Sequence, residues 1–138
     1  MEKSIKNIVL LFLLLVFSST AIAQQASLTI ENRSIRSMTV KIMKGSSGKG
    51  TLFTTITISA NSKETVYFSQ TGYYFTKTKA VLNGKDPVYQ KGQPFKVVND
   101  DTGYSVLTLT FVIKESAIPQ VTGGQQISKS EFDQNWHG

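Results

Sequence analysis

From Tyr104 to Lys114 the chain reads Tyr-Ser-Val-Leu-Thr-Leu-Thr-Phe-Val-Ile-Lys, uninterrupted by Gly or Pro, and only a long β-strand accommodates it. Successive strand residues point to opposite faces, so Leu107, Leu109, Phe111 and Ile113 share one side, and Val106, Thr108, Thr110 and Val112 share the other. β-branched and aromatic residues dominate both sides. A strand that is apolar on one face and only mildly polar on the other asks for neighbours on both edges and a second layer above it.

Shorter strands with the same period precede it. Ser27–Asn32 places Leu28 and Ile30 inward, and Met38–Lys44 places Met38, Val40 and Ile42 inward with Thr39 and Lys41 outward. A Gly/Ser-rich loop, Gly45–Gly50, leads to Leu52–Ile58, where Leu52, Ile56 and Ile58 share a face. Thr65–Phe68, Tyr73–Leu82 and Phe95–Val98 follow. Asn83-Gly84 fits a type I′ hairpin turn, and Pro87 limits Val88-Tyr89 to an edge strand at most. Turn signals at this spacing predict an all-β fold: an antiparallel β-sandwich of about seven or eight strands, of the immunoglobulin-like type. Its core is expected to join Leu107, Leu109 and Phe111 with Val40, Ile42, Ile56 and Tyr74.

The two ends differ from this body. Lys3 and Lys6 precede ten unbroken apolar residues, Ile8 to Phe17, and then the small-x-small site Ala21-Ile22-Ala23. This is the pattern of a secretory signal over residues 1–23, too short for a membrane span, which needs about 20 apolar residues. The expected sandwich domain covers residues 24–114, with no further transmembrane segment. Residues 115–138 form a polar tail, broken by Pro119 and Gly123-Gly124. Within it Ser128 and Glu131 have capping-box spacing, and Phe132 and Trp136 lie four apart on one face of a helical turn or two. Those aromatics either dock onto the sandwich, stay loose in solution, or bind a partner.

The chain has no cysteine, which excludes disulfides, thiolate catalysis and cysteine metal sites and points to a bacterial periplasmic or extracellular protein. The formal charge of +6 becomes +5 once Lys3, Lys6 and Glu2 are removed with the signal segment. Nearly all the base is lysine, with arginine only at Arg33 and Arg36, so nucleic-acid recognition through arginine forks is not expected.

Candidate chemistry is sparse. Asp101-Thr102-Gly103 matches the aspartic-protease triplet, but its neighbours describe a hairpin turn better. Asn99, Asp100 and Asp101 lack the spacing of a calcium loop, and the sole histidine, His137, sits next to the last residue. No catalytic residue, metal site or cofactor is therefore expected. Asn32-Arg33-Ser34 is a formal glycosylation sequon.

The strip with most binding potential is Tyr73–Leu82, where alternation aligns Tyr73, Phe75, Lys77 and Lys79 on one face. If the lysines mark a solvent face, the rings beside them offer stacking area for an anionic glycan or lipid headgroup. The sequence thus predicts an exported, non-catalytic binding or structural module of the envelope or extracellular space, with an unidentified protein or an anionic glycan or lipid surface as partner. Its alternatives are an adsorption module using the aromatic-lysine face and a small hydrolase using carboxylates. Close carboxylates in a pocket would favour the hydrolase, a flat aromatic-basic face adsorption, and an open apolar edge assembly.

Overall fold

The computed structural model describes residues 25–46, 49–116, 119–121 and 123–137, and the signal segment lies outside the described residues. In chain order the strands are β1 (Ala26–Arg33), β2 (Ser37–Ser46), β3 (Lys49–Ile58), β4 (Lys63–Phe68), β5 (Gly72–Val81), β6 (Val88–Gly92) and β7 (Phe95–Val97). They continue with β8 (Asn99–Asp100), β9 (Gly103–Tyr104), β10 (Val106–Lys114), β11 (Gln120–Val121) and β12 (Gly124–Gln126). A short helix, α1 (Lys129–Asp133), and a last strand, β13 (Trp136–His137), complete the chain.

The fold is the expected all-β one. One sheet runs β11–β10–β1–β4 and the other β12–β6–β5–β2–β3–β13, with β7 also on β5 and β8–β9 forming a separate ribbon. Alternation decides which side chains enter the core between the sheets. Leu28, Ile30, Phe68 and Phe111 come from the first sheet, and Val40, Ile42, Ile58 and Tyr74 from the second. Phe68 and Tyr74 meet edge to face across the interface, with ring centroids 4.6 Å apart.

The pairing is not wholly antiparallel. β1 runs parallel to β10, Leu28 beside Leu107 and Thr29 beside Thr108. A parallel pair needs a long crossover, and here the chain builds the second sheet and β4 before returning at Val106. The most interior strands are β2 and β5, whereas β10 has a full-length neighbour only in β1. β11 reaches β10 only at Ile113 and Lys114. Phe111 and Ile113 are accordingly buried, and Leu107 and Leu109 only partly so.

Local departures have local causes. A register shift opposite Ile42–Met43 lets Phe53 stack on Phe68 at 5.2 Å, while Leu52 falls on the outer side opposite Met43. Ile56 and Ile58 face the core as expected. At the β5–β6 turn only Gly84 has positive φ, 80°, and Lys85 N–H donates to the Leu82 carbonyl, the pattern of a type II turn. Type I′ would need positive φ at Asn83 as well. β2 and β3 stay paired out to Ser46 and Lys49, deep into the Gly/Ser-rich stretch. Finally, β6 is not an edge, because β12 from the tail pairs with it from Gln90 to Gly92. Pro87 lies before the first paired residue and costs the ladder nothing.

Candidate functional site

β5 carries the aromatic-lysine strip, and the structure divides it. Tyr73 is exposed and Lys79 half-buried, but Phe75 and Lys77 are buried to 1% or less. The expected open face is therefore corrected. Alternation does turn these residues away from the sandwich core, yet the tail lies across the face they share.

The physical reason is in the last helical turn. A helix leaves its final carbonyls without intrahelical donors. At the end of α1 two lysines of the sheet, Lys77 and Lys41, supply them. Lys77 Nζ donates to the Glu131 carbonyl at 2.9 Å and also to that of Gln134. Lys41 Nζ donates to the Phe132 carbonyl at 3.0 Å and to Asn135 Oδ1 at 2.7 Å. Lys91 pairs with the Glu131 carboxylate at 3.2 Å. Cations at a helix C-terminus also complement its negative dipole end.

Burial, the nearby Lys41 and then Lys91 pull the Lys77 ammonium down to about 8, against the upward pull of Glu131 and Asp133. Ser128 caps the helix by accepting the Glu131 N–H, as the sequence spacing predicted. Phe132 is buried, its ring 5.5 Å from that of Tyr89 and 4.7 Å beneath Lys41 Nζ. Trp136 does not share a helix face with it. The helix ends at Asp133, and Trp136 lies in β13 opposite Thr51, 67% exposed. Of the two aromatics proposed for a partner, the structure docks one and exposes the other.

A second polar cluster closes the opposite corner. Asn32, Ser34 and Arg36 are all buried. Asn32 Nδ2 donates to the carbonyls of Arg36, Ile58 and Ser59, and its Oδ1 accepts from Ser34 Oγ at 2.6 Å. Arg36 presents a fork to Glu115, Nε to Oε2 at 2.9 Å and an Nη2 to Oε1 at 3.1 Å. Its other Nη donates to the carbonyls of Ala80 and Asp86. Those bonds hold the Glu115 carboxyl below the usual carboxylate range. A cavity of about 460 Å³ opens beside this pair, lined by Arg36, Lys85, Asp86, Ser116 and Gln126 among others. Arginine's planar fork suits buried ion pairs, so the rarity of arginine in a lysine-rich chain was a usable sequence signal for Arg36. The Asn32 amide of the formal sequon is buried and donates to backbone carbonyls.

The Asp101-Thr102-Gly103 triplet is the predicted turn. Asp100 Oδ1 accepts the Thr102 N–H at 2.8 Å and Gly103 has φ of 154°. Bonds from Thr102 hold the Asp100 carboxyl below its ordinary value, as Lys129 does for Asp133. The His137 backbone pairs with Gly50, and its side chain lies outside the described residues. Among the described residues no three His, Cys, Asp or Glu side chains gather as metal ligands would. Nor does any described helix have the length and apolarity to cross a membrane.

Sequence reasoning missed the feature left open by this arrangement. The tail roofs the outer face of the larger sheet, but among the described residues nothing roofs the outer face of the four-stranded sheet. Thr65, Thr29 and Thr108 lie side by side across it, Thr29 and Thr65 joined through their Oγ1 atoms at 2.9 Å. Tyr67, Ser27 and Val106 form the adjacent row, with Val106 70% exposed. Beyond Val106–Phe111 no described strand pairs. The signal was present as the absence of any charge from Ser105 to Ile113. Comparison with protein-family models, with curated proteins and with solved structures found no match.

Proposed function

We propose that this chain is an exported, non-catalytic β-sandwich that works by assembling with protein through the free edge of its four-stranded sheet. One observation carries the reading: β10 offers an uncharged, unbulged edge from Val106 to Phe111. Monomeric proteins usually blunt such an edge with Lys, Pro, a bulge or a covering segment. Another uncharged open stretch among the described residues, Thr54–Ile58 of β3, is shorter and follows the irregularity at Phe53. At the far side of the same sheet β4 carries Lys63 and Glu64.

The rival readings find less support. Adsorption through Tyr73, Phe75, Lys77 and Lys79 would require the tail to leave, because its Glu131 and Gln134 carbonyls hold the Lys77 ammonium and Phe75 is buried. A hydrolase acid needs a raised pKa, whereas Asp100, Glu115 and Asp133 are all held low. Export rests on the residues up to Ala23 and places the module in the periplasm or outside the cell.

A photo-crosslinking residue at Thr108, introduced into the chain in its native cells, is expected to capture protein on irradiation. The same residue at exposed Lys96 is expected to capture none. No adduct from position 108 would contradict the reading.

A further inference from the structure

We infer that the occupant of the β10 edge is a second copy of this chain, joined antiparallel about a two-fold axis at Thr108. The inference rests on the assembly reading above and names its partner. The Ser105 carbonyl accepts the Ser27 N–H at 2.9 Å, while the Ser105 N–H donates to the Val98 carbonyl; with Ser27 opposite Val106, the backbone groups of Leu107, Leu109 and Phe111 turn toward β1. Those of Val106, Thr108 and Thr110 consequently turn outward. In an antiparallel pair, residues that face each other with outward groups exchange both backbone hydrogen bonds. Centring the axis on Thr108 sets Thr108 against Thr108 of the copy and Val106 against Thr110, which uses every outward group of this stretch. β11 takes over the edge at Ile113, so the pairing stops where the protein already supplies a neighbour.

The two faces of the strand agree with this register. On the outer face the row Thr65–Thr29–Thr108 meets its own image, giving one threonine ladder across both molecules. On the inner face Leu107 comes beside Leu109 of the copy. Both are core-facing side chains left half-covered because their strand ends the sheet, and the copy would cover them. No charged residue opposes a like charge along the stretch, although each chain is net basic.

A strand from an unrelated protein would need side-chain pockets to be recognised. No residue of Val106–Phe111 lines the cavities around Val88–Gln90, beside Arg36 or along Arg33–Lys63. A copy needs only the matched edge.

Sedimentation equilibrium of the chain is expected to give twice the monomer mass at micromolar concentration. Thr108→Lys and Thr108→Glu, which oppose like charges at the axis, should each halve that mass without moving the melting temperature of the monomer. Mixing the two variants should restore the doubled mass as a one-to-one pair. Should either variant unfold, Thr108→Cys serves instead. Residues in a hydrogen-bonded antiparallel pair stand about 5.5 Å apart at Cα, inside disulfide range. In a chain with no other cysteine, oxidation should then yield a covalent dimer, whereas Tyr67→Cys should not.

A chain that stays monomeric, a mixture that stays monomeric, or open-ended multimers would overturn the pairing. A monomer whose position 108 crosslinks a different protein in cells overturns the homotypic pair and leaves assembly standing. Absence of any crosslink there overturns both.

Discussion

Lys77 brings an ammonium group into a place from which water is excluded, and its two carbonyl partners explain how. A neutral amine still has two N–H donors for the carbonyls of Glu131 and Gln134, so losing the proton does not break the contact. With the folded-state value near 8 and the unfolded value at 10.5, the folded chain binds fewer protons between these limits. Stability should therefore rise with pH from about 8 to 10.5. Denaturant midpoints of the chain and of Lys77→Met, taken across that range, should show the rise only where Lys77 is present. Equal slopes would contradict it. Asn32 sets the opposite corner in the same manner, one amide serving three carbonyls. Replacing it with Ala leaves buried acceptors unmet and should cost about 3 kcal/mol by chemical denaturation. The buried amide should also stay unglycosylated when the folded chain is offered to a glycosylating extract, by mass spectrometry.

At the scale of elements the tail is the part whose role changes the account. It contributes β11 to one sheet and β12 and β13 to the other, and α1 crosses the lysine face. Phe132 is its anchor, so Phe132→Ala should weaken the docking by about 3 kcal/mol, the low end for emptying a buried aromatic site. Hydrogen exchange should then accelerate over Gly124–Trp136 while β2 and β5 keep their protection. Uniform acceleration would show that tail and sandwich open together. The strands were legible in the sequence because period-two alternation in β1, β2 and β10 is enforced by burial on one side only. The capping box was legible as well, being a local signal. The covering of Phe75 and Lys77 was not, because alternation assigns a side chain to a face without stating what lies above that face. Pro87 misled for a related reason, since β6 begins after it and finds its outer partner in β12, a segment with no strand signature of its own. The Arg36–Glu115 pair joins residues far apart in sequence, and only the fold brings them together.

For the whole molecule the central claim is an asymmetry between the two sheets. The larger sheet is roofed by the tail, which engages Lys41, Lys77 and Lys91. The smaller one ends in an uncharged, unpartnered stretch of β10. That stretch is stable in the sandwich because Phe111 anchors it, and Phe111→Ala should cost about 3–5 kcal/mol. A loss below about 0.5 kcal/mol would place the strand in another register. Backbone hydrogen exchange at the edge tests the asymmetry most directly. In dilute solution the N–H groups of Val106, Thr108 and Thr110 should exchange quickly, while those of Leu107 and Leu109, directed at β1, exchange slowly. At high protein concentration, or with the partner captured in cells added back, the first set should become protected and the second should hardly change. Slow exchange of Thr108 and Thr110 in the dilute monomer, or no change on assembly, would contradict the claim that this edge is the working surface.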